Sequence, residues 1–176
     1  MSETTTKSRG FRTNPLRRCL VGVLFAAGCS LAALADDGGA RLATWEPWEP
    51  DTAVAAWVLA RFVDPNLRFE SYPRGTRLQA VEALDTPDAR YRRSARETAT
   101  EAVVRIHRVA QPCLGPIVEW VRVIEIGKWS KAAVPQAEAF EAGLVARLPQ
   151  GQSGPVDVGP VFEWLDRQCS ALQGAE

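Results

Sequence analysis

Residues 53–63, Ala-Val-Ala-Ala-Trp-Val-Leu-Ala-Arg-Phe-Val, carry one charged side chain, Arg61. A surface helix shows one apolar stripe, whereas a helix that is apolar nearly all round must be enclosed by other elements. Asp51 stands before the run as a candidate N-cap. Asp64-Pro65-Asn66 closes it, because the residue before proline is steered out of the helical region. The chain must therefore supply enough further structure to wrap a central helix.

The flanking segments offer that structure. Arg41 to Trp45 reads as a short strand. Residues 67–72 alternate as a strand does, with Leu67, Phe69 and Ser71 on one face and Arg68, Glu70 and Tyr72 on the other. The second half has the helical period. Residues 97–111 align Ala99, Ala102, Val103, Ile106 and Ala110, and residues 115–126 align Ile117, Val118, Val121 and Ile124. Residues 135–148 open on proline, which suits a first helical turn. A Gly/Pro/Ser/Gln loop follows at 149–155. The last helix carries Val158, Val161, Phe162, Leu165, Cys169 and Leu172 on one stripe. About five helices with two or three short strands make an α+β domain.

The amino-terminal end has a different composition. Lys7, Arg9, Arg12, Arg17 and Arg18 precede an uncharged apolar stretch, residues 19–35, which ends Ala33-Leu34-Ala35 before Asp36-Asp37. Basic start, apolar middle and small-x-small exit predict a secretory signal cleaved after Ala35. The stretch is short of the roughly 20 residues that a membrane span needs. Ala26-Ala27-Gly28-Cys29 also allows a lipoprotein reading with Cys29 as the anchor, and Arg17-Arg18 loosely fits a twin-arginine signal. On the export reading residues 36–176 form a single domain, periplasmic or secreted, without an integral membrane span. Removing residues 1–35 leaves 16 Lys and Arg against 20 Asp and Glu, a net charge of −4. That balance argues against a nucleic-acid partner, which needs clustered positive charge.

Beyond Ala35 only Cys113 and Cys169 remain. In an oxidising compartment they are expected to form one disulfide, with two buried thiols as the alternative. With His107 as the sole histidine and no Cys-x-x-Cys pair, neither zinc nor any other metal or cofactor is expected. His107 sits at the edge of an amphipathic helix face, where a packed side chain is the simpler reading.

Asp51-Thr52-Ala53-Val54-Ala55-Ala56-Trp57-Val58-Leu59-Ala60-Arg61-Phe62-Val63-Asp64-Pro65 resembles the signature of the bacterial chromate-resistance ChrB domain family. Trp45 before it also matches. Leu84-Asp85-Thr86-Pro87 is similar to the family's Phe-Asp-x-Pro segment, and Ile124-Glu125-Ile126 with Lys128-Trp129 to a later block. Glu141-Ala142-Gly143-Leu144 and the stretch 159–165 complete the series, in the family's order, across 44–169. The resemblance implies an association with chromate resistance. Members occur behind a cytoplasmic regulatory segment and as exported single domains, and this chain resembles the second type. Direct transcriptional control is therefore not expected. Where family members commonly carry histidine after the Arg-Arg pair and His-Asp before Ile-Glu-Ile, this chain has Ser94-Ala95-Arg96 and Arg122-Val123.

The residues left to carry chemistry are acids and arginines. Asp51, Asp85 and Glu125 are candidate ligand-binding acids, as is Asp64 on weaker grounds. Each has a plain alternative: Asp51 as a cap, Asp64 as a helix stop, Asp85 as a turn residue before proline, Glu125 as a partner of Lys128. Arg90, Arg92, Arg93 and Arg96 form a basic cluster, and the forked guanidinium suits a tetrahedral oxyanion such as chromate or sulfate. Arg92 and Arg93 are the expected binding pair, with Arg90 and Arg96 as outer contacts. The alternative is a solvated helix face. The expected function is an exported accessory protein of chromate resistance that binds an oxyanion or a partner without turnover. A cell-envelope interaction protein that has lost the family's site and a metal-dependent enzyme are the alternatives. Of the six tryptophans, most are expected in the core and some as interface anchors.

Overall fold

Two parallel strands cannot be joined by a tight turn, so a helix must carry the chain back between them. The enclosed apolar run does this. The computed structural model describes residues 39–79, 81–151 and 153–174. The signal-like stretch 19–35, with Cys29 and the expected cleavage point, lies outside the described residues. Strand β1 (Arg41–Trp45) leads into helix α1 (Pro50–Phe62) and back through β2 (Arg68–Tyr72), which lies parallel to β1 with Arg41 opposite Arg68 and Trp45 opposite Tyr72. Strand β3 (Glu82–Ala83) joins the other edge of β1, also parallel. Helices α2 (Ala99–His107) and α3 (Leu114–Glu125) follow, then a 3-10 helix (Lys128–Ala133), α4 (Pro135–Val145), β4 (Gly154–Pro155) and α5 (Gly159–Gln173). Strand β4 pairs antiparallel with β2, giving the order β3-β1-β2-β4. The fold is α+β, five α-helices on a small mixed sheet of four strands among the described residues.

Helix α1 is enclosed as its composition demands. Every residue from Asp51 to Ala60 is buried, and α1 packs against α2, α3, α4 and α5. Pro50 occupies the first turn after the N-cap Glu49, a position where a missing N–H costs nothing. At the far end, Asp64 accepts the Asn66 N–H at 2.9 Å, so its role as a helix stop has a direct structural form.

Three readings of local structure change. Helix α2 is shorter than 97–111. Ser94 Oγ accepts the N–H groups of Arg96 and Glu97, and Thr98 and Glu101 form a capping box, so the helix starts after Thr98. It stops where Arg108 enters the left-handed region at φ 53°. Helix α4 ends at Val145 rather than 148. The alternation of β2 does not separate a buried from an open face: Glu70 is buried along with Phe69 and Ser71, and accepts Tyr72 Oη at 2.7 Å and Arg41 at 3.3 Å.

Cys113, at the start of α3, is bonded to Cys169 on the buried stripe of α5, with their Cα atoms 5.0 Å apart. Helices α3, α4 and α5 share an aromatic ladder. Trp120 lies 5.2 Å from Phe140, and Phe140 lies 5.1 Å from Trp164, ring centre to ring centre. Gly143 makes room for Trp164: a Cβ there would come within 2.3 Å of the indole.

Helix α5 is also tied to α1 by charge. Asp166 accepts the Trp57 indole N–H at 2.8 Å and receives Arg61 through both Nε and NH2. Partial burial pushes the Asp166 carboxyl up, but the hydrogen bonds from Arg61 and Trp57 and the charges of Arg61 and Arg167 outweigh it. The net direction is below the ordinary carboxylate range. Asp166→Ala strands a buried indole N–H and is expected to lower unfolding stability by about 1–3 kcal/mol at pH 7 in urea titrations. A depressed folded-state pKa contributes stability above the ordinary value that is lost as pH falls through the folded one. The gap between variant and wild type should therefore narrow in strong acid.

Candidate functional site

The site is built on the loop between β3 and α2. Leu84 bridges to Tyr91, and the Asp85 N–H donates to the Tyr91 carbonyl at 2.8 Å, so residues 85–91 close into a tight excursion. Asp85 sits in the left-handed region at φ 51°, a conformation that Asp tolerates better than most residues. Its carboxylate accepts Thr52 Oγ1 from α1 at 2.7 Å and the Arg93 guanidinium, with Nε at 3.1 Å from Oδ1 and NH2 also bonded to Oδ2. Arg92, next along the loop, donates NH1 to the Pro87 carbonyl at 2.6 Å.

Arg93 is the hub of an acid cage. Besides Asp85, it pairs with Glu125 at the end of α3 at 2.8 Å and with Glu49 at the start of α1. Its Nε lies 4.0 Å from Asp51. Four carboxylates from two helix ends and a loop thus surround one guanidinium. Asp51 turns away from its own helix. Its oxygens accept Ala99 N–H at 2.6 Å, Thr100 N–H at 2.8 Å and Thr100 Oγ1 at 2.7 Å, capping α2 across 48 residues of chain. It is a helix cap, but not of the helix in whose first turn it stands.

Burial sets the electrostatics of the cage, and the neighbouring charges modify it. Burial pushes the Asp51 carboxyl up to about 6, and the Asp85 charge adds to this, against the pull of the Thr100 and Ala99 donors. Burial likewise pushes Glu125 up; the Arg93 charge opposes this, while Glu49 reinforces it. For Arg93, partial burial works against the charged form, but the hydrogen bonds and charges of Asp85, Glu125 and Asp51 outweigh it and hold the guanidinium protonated. Asp51 and Glu125 thus shift upward chiefly through burial, and Arg93 through its acid partners.

Beside the cage lies a cleft of about 340 Å³ lined by Thr44, Trp45, Glu49, Thr52, Arg74, Asp85, Thr86, Arg92 and Arg93, with Pro47 and Pro87 at its walls. Arg74, in the turn after β2, reaches Glu49 at 3.5 Å. Trp45 is held by its indole N–H on the Thr76 carbonyl at 2.8 Å.

The structure brings together Asp51, Asp85, Glu125 and Arg93, with Arg92 on the adjoining cleft wall. Arg90 is elsewhere, stacked 5.2 Å over the Tyr91 ring, and Arg96 is exposed with its carbonyl accepting Arg122. His107 lies outside the cleft, its Nε2 2.7 Å from Tyr91 Oη. Glu125 pairs with Arg93, 32 residues away, where the sequence suggested Lys128. Sequence reasoning missed Glu49, Thr52 and Arg74. Only Glu49 had a signal, standing beside Pro50-Asp51 at the opening of the central helix. Among the described residues no three His, Cys, Asp or Glu side chains are grouped to hold a metal ion. In the acid cage the positive charge is the guanidinium of Arg93.

A protein-family model described as ChrB, C-terminal domain, matches residues 42–167. No curated protein and no solved structure matches the chain.

Proposed function

We propose, on the premise that this chain belongs to the ChrB C-terminal domain family, that it is an exported accessory protein of chromate resistance whose cleft binds a small oxyanion without turnover. Family membership carries the association with chromate resistance. The signal-like amino-terminal sequence supports export, and the Cys113–Cys169 bridge fits an oxidising compartment. Among the described residues no helix is long and apolar enough to cross a membrane.

The observation that carries the oxyanion reading is the cleft wall that holds Arg92 and Arg74. A guanidinium has five N–H donors in a fixed fork. Arg92 directs one of its nitrogens to Pro87, and Arg74 meets Glu49 only at 3.5 Å, so both retain donors that can be aimed at a ligand. Arg93 supports this indirectly: its donors go to carboxylates, and it fixes the wall on which Arg92 stands. Thr44, Thr52 and Thr86 add hydroxyls to the lining.

Calorimetric titration of the purified full chain with chromate, sulfate and phosphate tests the reading. Arg92→Ala and Arg74→Ala are expected to weaken oxyanion affinity at least tenfold each, because a charge-assisted hydrogen bond contributes about 1.5–3 kcal/mol. Unchanged affinity in both variants removes the cleft from the reading. No oxyanion binding at all leaves an interaction protein of the cell envelope as the better description.

A further inference from the structure

The acids beside the cleft decide what form of oxyanion it can take. A carboxylate accepts hydrogen bonds and gives none. Glu49 and Asp85 both line the cleft. Asp85 is saturated: Oδ2 takes Thr52 and Arg93, and Oδ1 takes the Arg93 Nε and N–H. Glu49 is different. One oxygen, Oε2, pairs with Arg93, while Oε1 has Arg74 at 3.5 Å, beyond a strong charge-assisted contact. Its side chain is 36% exposed and lines the cleft. Behind it stand Asp51 and Glu125, within reach of the same single guanidinium. A ligand held by Arg74 and Arg92 therefore lies against an acceptor in an acid-rich wall.

We propose that the cleft selects a tetrahedral oxyanion that carries a proton, and that Glu49 is the residue that reads it. The inference rests on the oxyanion reading above. A protonated anion, such as hydrogen phosphate or hydrogen chromate, donates its O–H to Glu49 Oε1 while its remaining oxygens accept from Arg74 and Arg92. A fully deprotonated anion such as sulfate offers only acceptors. It sets an oxygen against the carboxylate with no hydrogen between them. The discrimination is a difference between one satisfied and one repelled contact, and sites of this kind reject the ligand lacking the proton strongly.

Competition calorimetry on the full chain at pH 7 compares inorganic phosphate, which keeps a proton, with sulfate, which has none. Phosphate is expected to bind at least about tenfold more tightly. Glu49→Gln offers an amide N–H where the carboxylate was, and should bring the two anions within about twofold by strengthening sulfate. Arg74→Ala should weaken both alike. Titration with chromate adds a second readout: its affinity should rise as pH falls into the range where the anion takes up a proton, and Glu49→Gln should flatten that rise. Equal binding of phosphate and sulfate by the wild-type chain, or unchanged discrimination in Glu49→Gln, overturns the selectivity while leaving the cleft an oxyanion site. Binding of none of phosphate, sulfate and chromate overturns both readings.

Discussion

Arg93→Ala is expected to lower the unfolding free energy by about 3–5 kcal/mol at pH 7, the cost of removing one partner from a buried ionic network. Asp51, Asp85 and Glu125 then lose the cation they share, Glu49 keeps only Arg74 at 3.5 Å, and Asp51 and Asp85 are almost wholly inaccessible to water. The pH dependence has a definite sign. Without the guanidinium, Glu125 loses the charge that opposes its burial, and its folded-state pKa rises further above its unfolded value. Such groups contribute stability that is complete below the ordinary carboxylate range and lost as pH rises through the folded value. Asp51 already behaves so in the wild type, between about 3.8 and about 6. The deficit of the variant should therefore shrink between pH 7 and pH 4. Urea unfolding at both values measures it. A loss under 1 kcal/mol at pH 7 contradicts the cage as an ionic network, and a deficit independent of pH assigns the loss to packing. Arg93→Lys keeps the charge but not the fork, and should fall between the two.

Removing the disulfide is the second large effect. Cys113 and Cys169 are 56 positions apart. Opening a loop of that size releases chain entropy in the unfolded state corresponding to about 4 kcal/mol. Typical domains are stable by only about 5–15 kcal/mol, so this is a major share. The Cys113→Ala, Cys169→Ala double variant should shift the urea midpoint down with a folded spectrum retained at low denaturant. Equal stability of the oxidised chain and the double variant would show that the bridge constrains nothing. The link also holds the start of α3 to the last helix, and α3 delivers Glu125 to Arg93. Weaker oxyanion affinity in the double variant would extend its effect to the site.

Local pattern carried the fold further than the site. The charge-poor run around Trp57 announced an enclosed helix because composition alone forbids it a solvent face. The helical periods around Val103, Val121 and Leu165 marked their buried stripes for the same reason, and Cys169 on one of them pointed to its partner. Strands β3 and β4 were not visible. At two residues each, Glu82–Ala83 and Gly154–Pro155 are too short to show alternation, and Gly154-Pro155 has the composition of a loop. The site was legible as residue types and not as pairings. Asp51 looked like a cap and is one, but the helix it caps begins 48 residues later. Glu125 was matched to Lys128 because helical spacing is the only geometry a sequence displays, while its partner Arg93 arrives from another element. The arginine cluster suggested a basic face, yet Arg93 lies among acids and Arg90 on an aromatic ring. Ion pairs across elements have no local signature, since the chain that separates the partners records nothing of their distance.

The Asp51 contacts have a consequence for how the domain opens. The first turn of a helix is ordinarily where it frays, because its leading N–H groups have no intrahelical acceptor. In α2 those of Ala99 and Thr100 are buried and bonded to a side chain of the central helix, beside the capping box formed by Thr98 and Glu101. Unravelling α2 from this end requires drawing the Asp51 carboxylate out of the core or abandoning it there without donors. The amino-terminal turn of α2 is thereby joined to the cooperative unit that loosens only when the whole domain does, and local breathing is left to the other end, beyond His107.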